Sequence, residues 1–483
     1  MDGLTSKAAR GTKWSSLSSI LVTAAQLGQM AVLARILSPA EFGIMGMALI
    51  WIGLGQMFGD LGMSAAVIHK QEQDPGLLSS LFWINVGVSL LMLVALLAAR
   101  EPLVAFFSEP SLYEVLTFSS PLIVLMSFGA VQRSVLRMHL HFDRLALAEV
   151  GGAVSGALVA IIAAIRGHGV LSLVWGKLAA ALVESAALLA LTARIWFPSL
   201  TLRRAGLRAY VSFGSFQMGD RLLGYMSWNI DKILIGRLLG SETLGLYTVA
   251  WNLMLKPLST VNKVLNRVAM PLFAKVQKDD PRVTRGYLKL IEYIALLNVP
   301  IYLGMAAVAA PLLRVYLGPE WSAAVPILQA LSLLGILHAI GNPVGNLIIA
   351  KGRPDLGLYM NIIVFLVSSA AIYASSSRGI VAIPLALIAV EIVFFVPIEA
   401  MVRWKLVKMR PLAPFRTALP YLAMAGAMAI LVVLVDTLIL ESQQYTIRLV
   451  ALAAIGMITY ASLCLRFRRP ILVEAMNLIL GRS

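Results

Sequence analysis

Residues 77–99 have the sequence LLSSLFWINVGVSLLMLVALLAA, an unbroken stretch without a charged side chain. A helix needs about 20 such residues to cross a hydrocarbon layer of roughly 30 Å. Similar stretches recur along the whole chain of 483 residues, separated by short polar or charged segments. The chain is 59% hydrophobic and 13% charged, whereas a soluble domain is about 45–50% hydrophobic and about 25% charged. The composition therefore excludes a soluble fold and predicts an all-α integral membrane protein.

The number of apolar stretches predicts about 14 transmembrane helices. The first is expected to be a retained helix rather than a signal peptide, because its apolar run is too long and no cleavage site follows it. The single cysteine, Cys464, cannot form an intramolecular disulfide. The predicted spans are Trp14–Leu37, Phe42–Ile68, Leu77–Ala99, Leu116–Met138, Leu147–Ile165, Val170–Ala193, Phe213–Leu239, Leu244–Phe273, Leu288–Ala310, Ala323–Ala350, Leu356–Tyr373, Ile380–Met401, Thr417–Leu440 and Ile447–Leu465.

Lysine and arginine residues are concentrated in alternate loops. The net charge is +16, and most of the basic residues fall in loops such as 275–278 and 403–410, whereas the loop 441–446 has none. This is the positive-inside pattern, and it predicts that both termini face the cytoplasm. Anionic lipid headgroups are a sufficient partner for the excess charge. A nucleic-acid partner is not expected, because the basic residues lack a folded soluble platform.

The chain also contains a weak internal repeat. Residues 34–43 align with residues 236–245, so that Arg35, Leu37 and Gly43 fall on Arg237, Leu239 and Gly245. Two similar helix ends that each meet a turn would give the same match. A true repeat predicts two parallel six-helix lobes related by an axis along the membrane normal. The predicted N-lobe is then 1–195, the cytoplasmic linker 196–210, the C-lobe 211–404, and the two C-terminal helices with a cytoplasmic tail 405–483.

Two related lobes favour a transporter, because a substrate path between repeats can open alternately to either side of the membrane. A channel remains an alternative. The chain has no phosphate-binding Gly-rich loop, no His-Glu-x-x-His motif and no large outer domain that would hold a catalytic carboxylate pair. We therefore expect no enzymatic activity.

Several sequence motifs lie at helix ends, namely Leu37–Gly43, Gly59–Gly62, Asn229–Gly240, Leu244–Tyr247 and Val268–Phe273. These motifs resemble those of Wzx-type polysaccharide flippases, especially the colanic-acid-exporter-like branch. The resemblance covers nearly the whole chain, within the superfamily that also holds multidrug exporters and peptidoglycan-lipid flippases.

The resemblance implies 14 helices in two lobes around a central cavity. It further implies a cargo of oligosaccharide linked to undecaprenyl pyrophosphate, moved by alternating access from the cytoplasmic to the periplasmic leaflet of the bacterial inner membrane. Membrane lipids and the polysaccharide assembly machinery are the expected partners, with no cofactor beyond a proton or sodium gradient. The alternatives are a cation-coupled small-molecule exporter and, less favoured because the loops are short, a membrane glycosyltransferase or polymerase.

A polar stripe on the predicted eighth helix is the sharpest candidate for binding the cargo. Asn252, Lys256, Lys263 and Arg267 lie at i, i+4, i+11 and i+15, which keeps them on one narrow face over ~22 Å. Cationic donors in a partly dehydrated site suit a pyrophosphate. Arg221 on the seventh helix is predicted to join them, and Arg267 has the alternative of reaching the inner headgroups.

Carboxylates within apolar spans are functional candidates, because an unpaired charge in hydrocarbon is unfavourable. Asp231 and Asp220 on the seventh helix, Glu184 on the sixth and Glu391 on the twelfth are predicted to couple transport to a cation. Structural ion pairing is the alternative for the seventh-helix acids. The residues predicted to line the cavity as neutral or acidic polar groups are Asn252, Gln26, Gln29 and Asp60.

Overall fold

The computed structural model describes most of the chain, and the described part is helical without a strand. The described residues are 2–60, 67, 74–201, 203, 207–276, 279–472 and 474. Within them, the side chains of several helical residues lie outside the description, namely 2–10, 12, 60, 207–218, 220, 263–264, 266–276 and 354.

Twelve helices in the described residues are long and apolar enough to cross a membrane. They coincide with twelve of the predicted spans, which confirms the all-α membrane fold. In chain order the helices are α1 (Asp2–Leu33), α2 (Pro39–Asp60), α3 (Pro75–Phe107), α4 (Leu112–Met138), α5 (Phe142–Ile165), α6 (Leu171–Thr192), α7 (207–239), α8 (241–276), α9 (Asp280–Ala307), α10 (Pro319–Ala350), α11 (Pro354–Ser376), α12 (Ala382–Val407), α13 (Ala413–Leu438) and α14 (Tyr445–Phe467).

Helices α7 and α8 form one helical run, Leu207–Val276, that is interrupted at Gly240. Gly240 has φ +83° and ψ 179°, a conformation that glycine adopts without a steric penalty. The interruption falls between the predicted seventh and eighth spans. Neither α7 nor α8 is among the twelve apolar helices found in the described residues, so the total of 14 spans stays a prediction.

The first compact unit comprises Met1–Gly245. In it α5 packs along both α1 and α6, while α2 and α4 each pack on α3. The α5–α6 contact is close because Gly156 and Gly176 face each other: a Cβ on either would lie 2.8 Å from the backbone oxygen of the other. Small residues that allow backbones to approach are how membrane helices gain packing energy where lipid supplies no hydrophobic drive.

A second glycine crossing in this unit involves the repeated segments. A Cβ on Gly43 would overlap the carbonyl oxygen of Ser241, and a Cβ on Gly245 would overlap that of Pro39. Next to this crossing, the Ser241 hydroxyl donates to Glu109 at 2.6 Å. The backbones of 39–43 and 241–245 are therefore in direct contact, with no room for a side chain between them.

Helix α3 begins with a polar cap outside the apolar span. The Asp74 carboxylate accepts a hydrogen bond from the Gly76 backbone N–H at 2.9 Å, and Arg203 donates to its other oxygen at 2.7 Å. The Gly76 amide, and after it Arg203, hold the pKa of Asp74 below its usual range. The cap satisfies an N–H group that would otherwise lack a partner at the helix end.

The second compact unit comprises Leu246–Ser483. Here α9 packs against α10 and α13, α13 against α14, and α11 against α12. Arg448 on α14 donates two hydrogen bonds of 2.8 Å to the Asp436 carboxylate on α13. The predicted lobe and linker boundaries, which were placed at different residues from these units, stay predictions.

Candidate functional site

The described part of the predicted polar stripe on α8 consists of Asn252 and Lys256. Asn252 is exposed and Lys256 half-buried, one helical turn apart. The side chains of Lys263 and Arg267 lie outside the described residues. Arg221 on α7 is exposed and belongs to the first unit. The role of these residues in binding a pyrophosphate stays a prediction.

The two predicted polar residues of α1 differ in burial. Gln26 is exposed and Gln29 is half-buried. The side chain of Asp60 at the end of α2 lies outside the described residues. Their assignment to a cavity therefore stays a prediction.

Two of the predicted carboxylates belong to α7. Asp231 is buried, with 5% of its surface exposed, and its carboxylate accepts a hydrogen bond from the Lys232 backbone N–H at 2.8 Å. The Lys232 ammonium group donates to the Asn229 side chain at 3.2 Å. The side chain of Asp220 lies outside the described residues.

Glu391 is brought next to a histidine that lies 53 residues earlier in the chain. Glu391 is 8% exposed, and its carboxylate lies 3.8 Å from Nε2 of His338 on α10. The Trp251 ring meets His338 edge-on, with 6.4 Å between ring centroids. Glu391 opens a single π-helical turn within α12, a local widening that is frequent at functional positions. A buried carboxylate beside an imidazole can hold and exchange a proton.

Glu184 on α6 forms an ion pair with Arg133 on α4, with 2.6 Å between the carboxylate and guanidinium. About three quarters of each side chain is buried. The pairing compensates a charge that would otherwise be unfavourable in the membrane interior. Arg133 was not among the predicted site residues.

Arg133 also lines a cavity of about 270 Å³ between α2, α3 and α4 in the first unit. Polar groups from all three helices meet there, which the sequence signalled only through the i, i+4 spacing of Arg133 and Arg137. The lining residues are Gln56, Gly59, Asn85, Ser89, Ile123, Met126, Ser127, Ala130, Arg133, Ser134 and Arg137.

The second unit contains a larger, apolar groove of about 540 Å³. It lies between α9, α13 and α14, where Gly304 and Gly456 leave space. The Tyr460 hydroxyl at its edge donates to the Leu296 carbonyl oxygen at 3.0 Å. The remaining walls are mainly aliphatic, including Pro300, Met428 and Leu452.

The chain is similar to known proteins of polysaccharide biosynthesis. A sequence profile described as "Polysaccharide biosynthesis protein" matches residues 32–326. The teichuronic acid biosynthesis protein TuaB of Bacillus subtilis (strain 168) is 28% identical over 379 residues, which cover 78% of each chain. The lipopolysaccharide biosynthesis protein WzxC of Escherichia coli (strain K12) is 26% identical over 435 residues, or 88% of each chain.

Among solved structures, the lipid II flippase MurJ in an inward closed conformation has the same fold. The TM-score is 0.76, at 15% sequence identity, over 95% of this chain and 99% of that chain. The sequence profile spans more than half of the present chain, which confirms the resemblance found from the helix-end motifs. This protein belongs to the Polysaccharide biosynthesis protein family.

Proposed function

We propose that this protein is a flippase that moves undecaprenyl-pyrophosphate-linked oligosaccharide from the cytoplasmic to the periplasmic leaflet by alternating access. The observation that carries the proposal is that a member of a polysaccharide biosynthesis family is built from apolar membrane helices. Such a protein would act on a polysaccharide precursor within the bilayer. Relatives named for teichuronic acid and lipopolysaccharide biosynthesis, and a fold shared with a lipid II flippase, support it.

The apolar groove and the cationic side chains suit different chemical parts of such a cargo. The apolar groove of the second unit suits the polyprenyl chain, because burying hydrocarbon needs apolar walls and no polar partner. A pyrophosphate instead requires cationic donors, for which Lys256 and Arg221 are the described candidates. The protein itself forms and breaks no bond of the cargo in this proposal.

We place the protein in the bacterial inner membrane with both termini in the cytoplasm, where anionic lipids face its basic loops. The polysaccharide assembly machinery is a further partner. In this orientation the predicted stripe on α8 rises from the cytoplasmic side, from which the cargo enters.

Removal of the Lys256 ammonium group is expected to abolish transport while leaving the protein folded. Lys256→Ala should reduce flipping of the lipid-linked oligosaccharide in proteoliposomes at least tenfold, because a cation facing the pyrophosphate is lost. Lys256→Arg should retain partial activity, since it keeps the charge with a different donor geometry.

The matched control is Lys289→Ala, which removes a half-exposed lysine paired with Glu474 at 2.7 Å. A surface pair of this kind contributes roughly 0–1 kcal/mol, so near-normal transport is expected. Wild-type flipping by Lys256→Ala would remove this residue from the mechanism. Absence of flipping by the wild-type protein, reconstituted with its own cargo, would contradict the proposed function.

We further propose that a carboxylate within the membrane spans couples transport to a proton or sodium gradient, with Asp231, Glu391 and Glu184 the described candidates, the first two being the ones to substitute. Neutralising the coupling residue by Asp231→Asn or Glu391→Gln should make transport insensitive to collapse of the gradient, because the residue no longer gains or loses a cation. The measurement is flipping in proteoliposomes with an imposed gradient, before and after an ionophore. An unchanged ionophore response in both variants would refute coupling through either residue.

A further inference from the structure

The polar cavity of the first unit contains buried groups that lack hydrogen-bond partners. Asn85 on α3 is fully buried, and neither its amide nitrogen nor its amide oxygen has a partner among the described residues. The Ser89 hydroxyl, one turn further along α3, is likewise buried without a partner in that part of the structure. Both residues line the cavity.

Buried donors and acceptors without partners are unfavourable, and native proteins retain few of them. A molecule that enters the cavity and offers both kinds of group would therefore be stabilised there. The Asn85 amide presents a donor and an acceptor side by side. Two neighbouring hydroxyl groups match this pair, because each hydroxyl both donates and accepts.

The cavity lining offers hydrogen-bond donors together with a positive charge that is only partly compensated. The Arg133 guanidinium is already paired with Glu184 at 2.6 Å, so its charge is largely compensated, although it still offers N–H donors. Arg137, one turn along α4, is exposed and adds further donors. Ile123 and Met126 supply an apolar wall.

The size of the cavity indicates how much of a ligand it can hold. The cavity has a volume of about 270 Å³ and is open on one side rather than enclosed. One sugar ring with several hydroxyls fits this space, and the rest of a longer ligand would lie outside it. A sugar ring also has an apolar face that suits Ile123 and Met126.

We propose that this cavity is a glycosyl subsite, in which Asn85 and Ser89 bind hydroxyl groups of one sugar ring of the cargo. The proposal rests on the proposed function, because a lipid-linked oligosaccharide is the ligand that brings a sugar to this position. It assigns substrate recognition to α3 and α4, where no predicted binding residue lay.

Gln132 provides a matched control for Asn85. It is fully buried on α4, and neither polar atom of its side chain has a partner among the described residues. Unlike Asn85, it does not line the cavity. Asn85→Leu and Gln132→Leu thus remove the same kind of group from the protein, but only one of them alters the cavity.

Both variants are expected to have a melting temperature equal to or above that of the wild type, because each loses an unsatisfied buried amide. Only Asn85→Leu should lower flipping of the lipid-linked oligosaccharide, by about fivefold or more, as expected for the loss of one to two hydrogen bonds of ~1 kcal/mol or more each. Ser89→Ala is the second variant and should lower flipping to a smaller extent at unchanged stability. Equal transport by Asn85→Leu and Gln132→Leu would overturn the subsite.

The chemical class of the ligand is tested by thermal stabilisation of the purified protein. The probes are the undecaprenyl-pyrophosphate oligosaccharide extracted from the source cells, undecaprenyl pyrophosphate without sugar, and inorganic phosphate. The sugar-bearing lipid should raise the melting temperature of the wild type and of Gln132→Leu more than the sugar-free lipid does. This difference should disappear in Asn85→Leu.

Equal stabilisation of the wild type by the two lipids would overturn the glycosyl subsite while leaving the flippase proposal intact. Stabilisation by inorganic phosphate that depends on Asn85 would also overturn it, in favour of an anion site. A wild-type protein that neither lipid stabilises and that transports neither would contradict the proposed function itself.

Discussion

Gly43→Ala is expected to prevent accumulation of folded protein in the membrane. The new Cβ would overlap the carbonyl oxygen of Ser241, a backbone atom that moves only if a helix moves. Overpacking a well-packed interior typically costs about 1–3 kcal/mol, and a clash with backbone lies at the upper end. Gly245→Ala should have a similar effect, because its Cβ would overlap the Pro39 carbonyl oxygen.

The measurement is the amount of monodisperse protein extracted from membranes and its melting temperature in detergent. Gly28→Ala on α1 and Gly87→Ala on α3 are matched controls, since a Cβ at either position has no described neighbour within 4 Å. These controls should be neutral or slightly stabilising, by up to ~1 kcal/mol, because alanine favours the helix. Equal stability of Gly43→Ala and Gly28→Ala would show that the crossing tolerates a side chain.

Breaking the Arg133–Glu184 pair is expected to destabilise the first unit strongly. Arg133→Ala leaves the Glu184 carboxylate without its cation at a position that is about three quarters buried. Removing one partner of a fully buried pair costs roughly 3–5 kcal/mol, and partial exposure places this pair towards the lower end. Replacing both residues by leucine should recover much of the stability, because no charge remains unpaired.

Arg203→Ala is the matched control for this experiment. Arg203 and Asp74 form an ion pair of nearly the same length, 2.7 Å, but their side chains are 65% and 40% exposed. An exposed pair contributes roughly 0–1 kcal/mol, so the melting temperature should change little. If Arg203→Ala lowers it as much as Arg133→Ala does, burial is not the cause of the effect.

The membrane helices could be predicted from the sequence because hydrocarbon thickness and backbone hydrogen bonding leave few solutions for long apolar segments. Helix ends were predicted less well. Helix α3 continues to Phe107, beyond the predicted Ala99, and α9 begins at Asp280 rather than at Leu288. In both cases the additional turns contain charged residues, which end an apolar window but do not end a helix.

The candidate sites were predictable only in part, for a different physical reason. Burial of charge in an apolar span singled out Glu184 and Glu391 from the sequence alone. Their partners Arg133 and His338 lie more than 50 residues away along the chain, and helix packing rather than local spacing brings them together. Whether the Asn85 amide has hydrogen-bond partners likewise depends on which groups the helix packing places around it, and the local sequence does not specify them.

The glycine crossing of the first unit has the geometry of an isologous interface. In the internal alignment, Pro39 corresponds to Ser241 and Gly43 to Gly245. Gly43 contacts Ser241, the counterpart of Pro39, and Gly245 contacts Pro39, the counterpart of Ser241. Reciprocal contacts of this kind are found where identical surfaces meet across a two-fold axis. In a symmetric homodimer one mutation would alter both sides at once, whereas within a single chain each segment can be substituted separately. Pro39 and Ser241, which contribute only carbonyl groups to the crossing, differ in side chain, whereas the two positions where a Cβ would collide are both glycine.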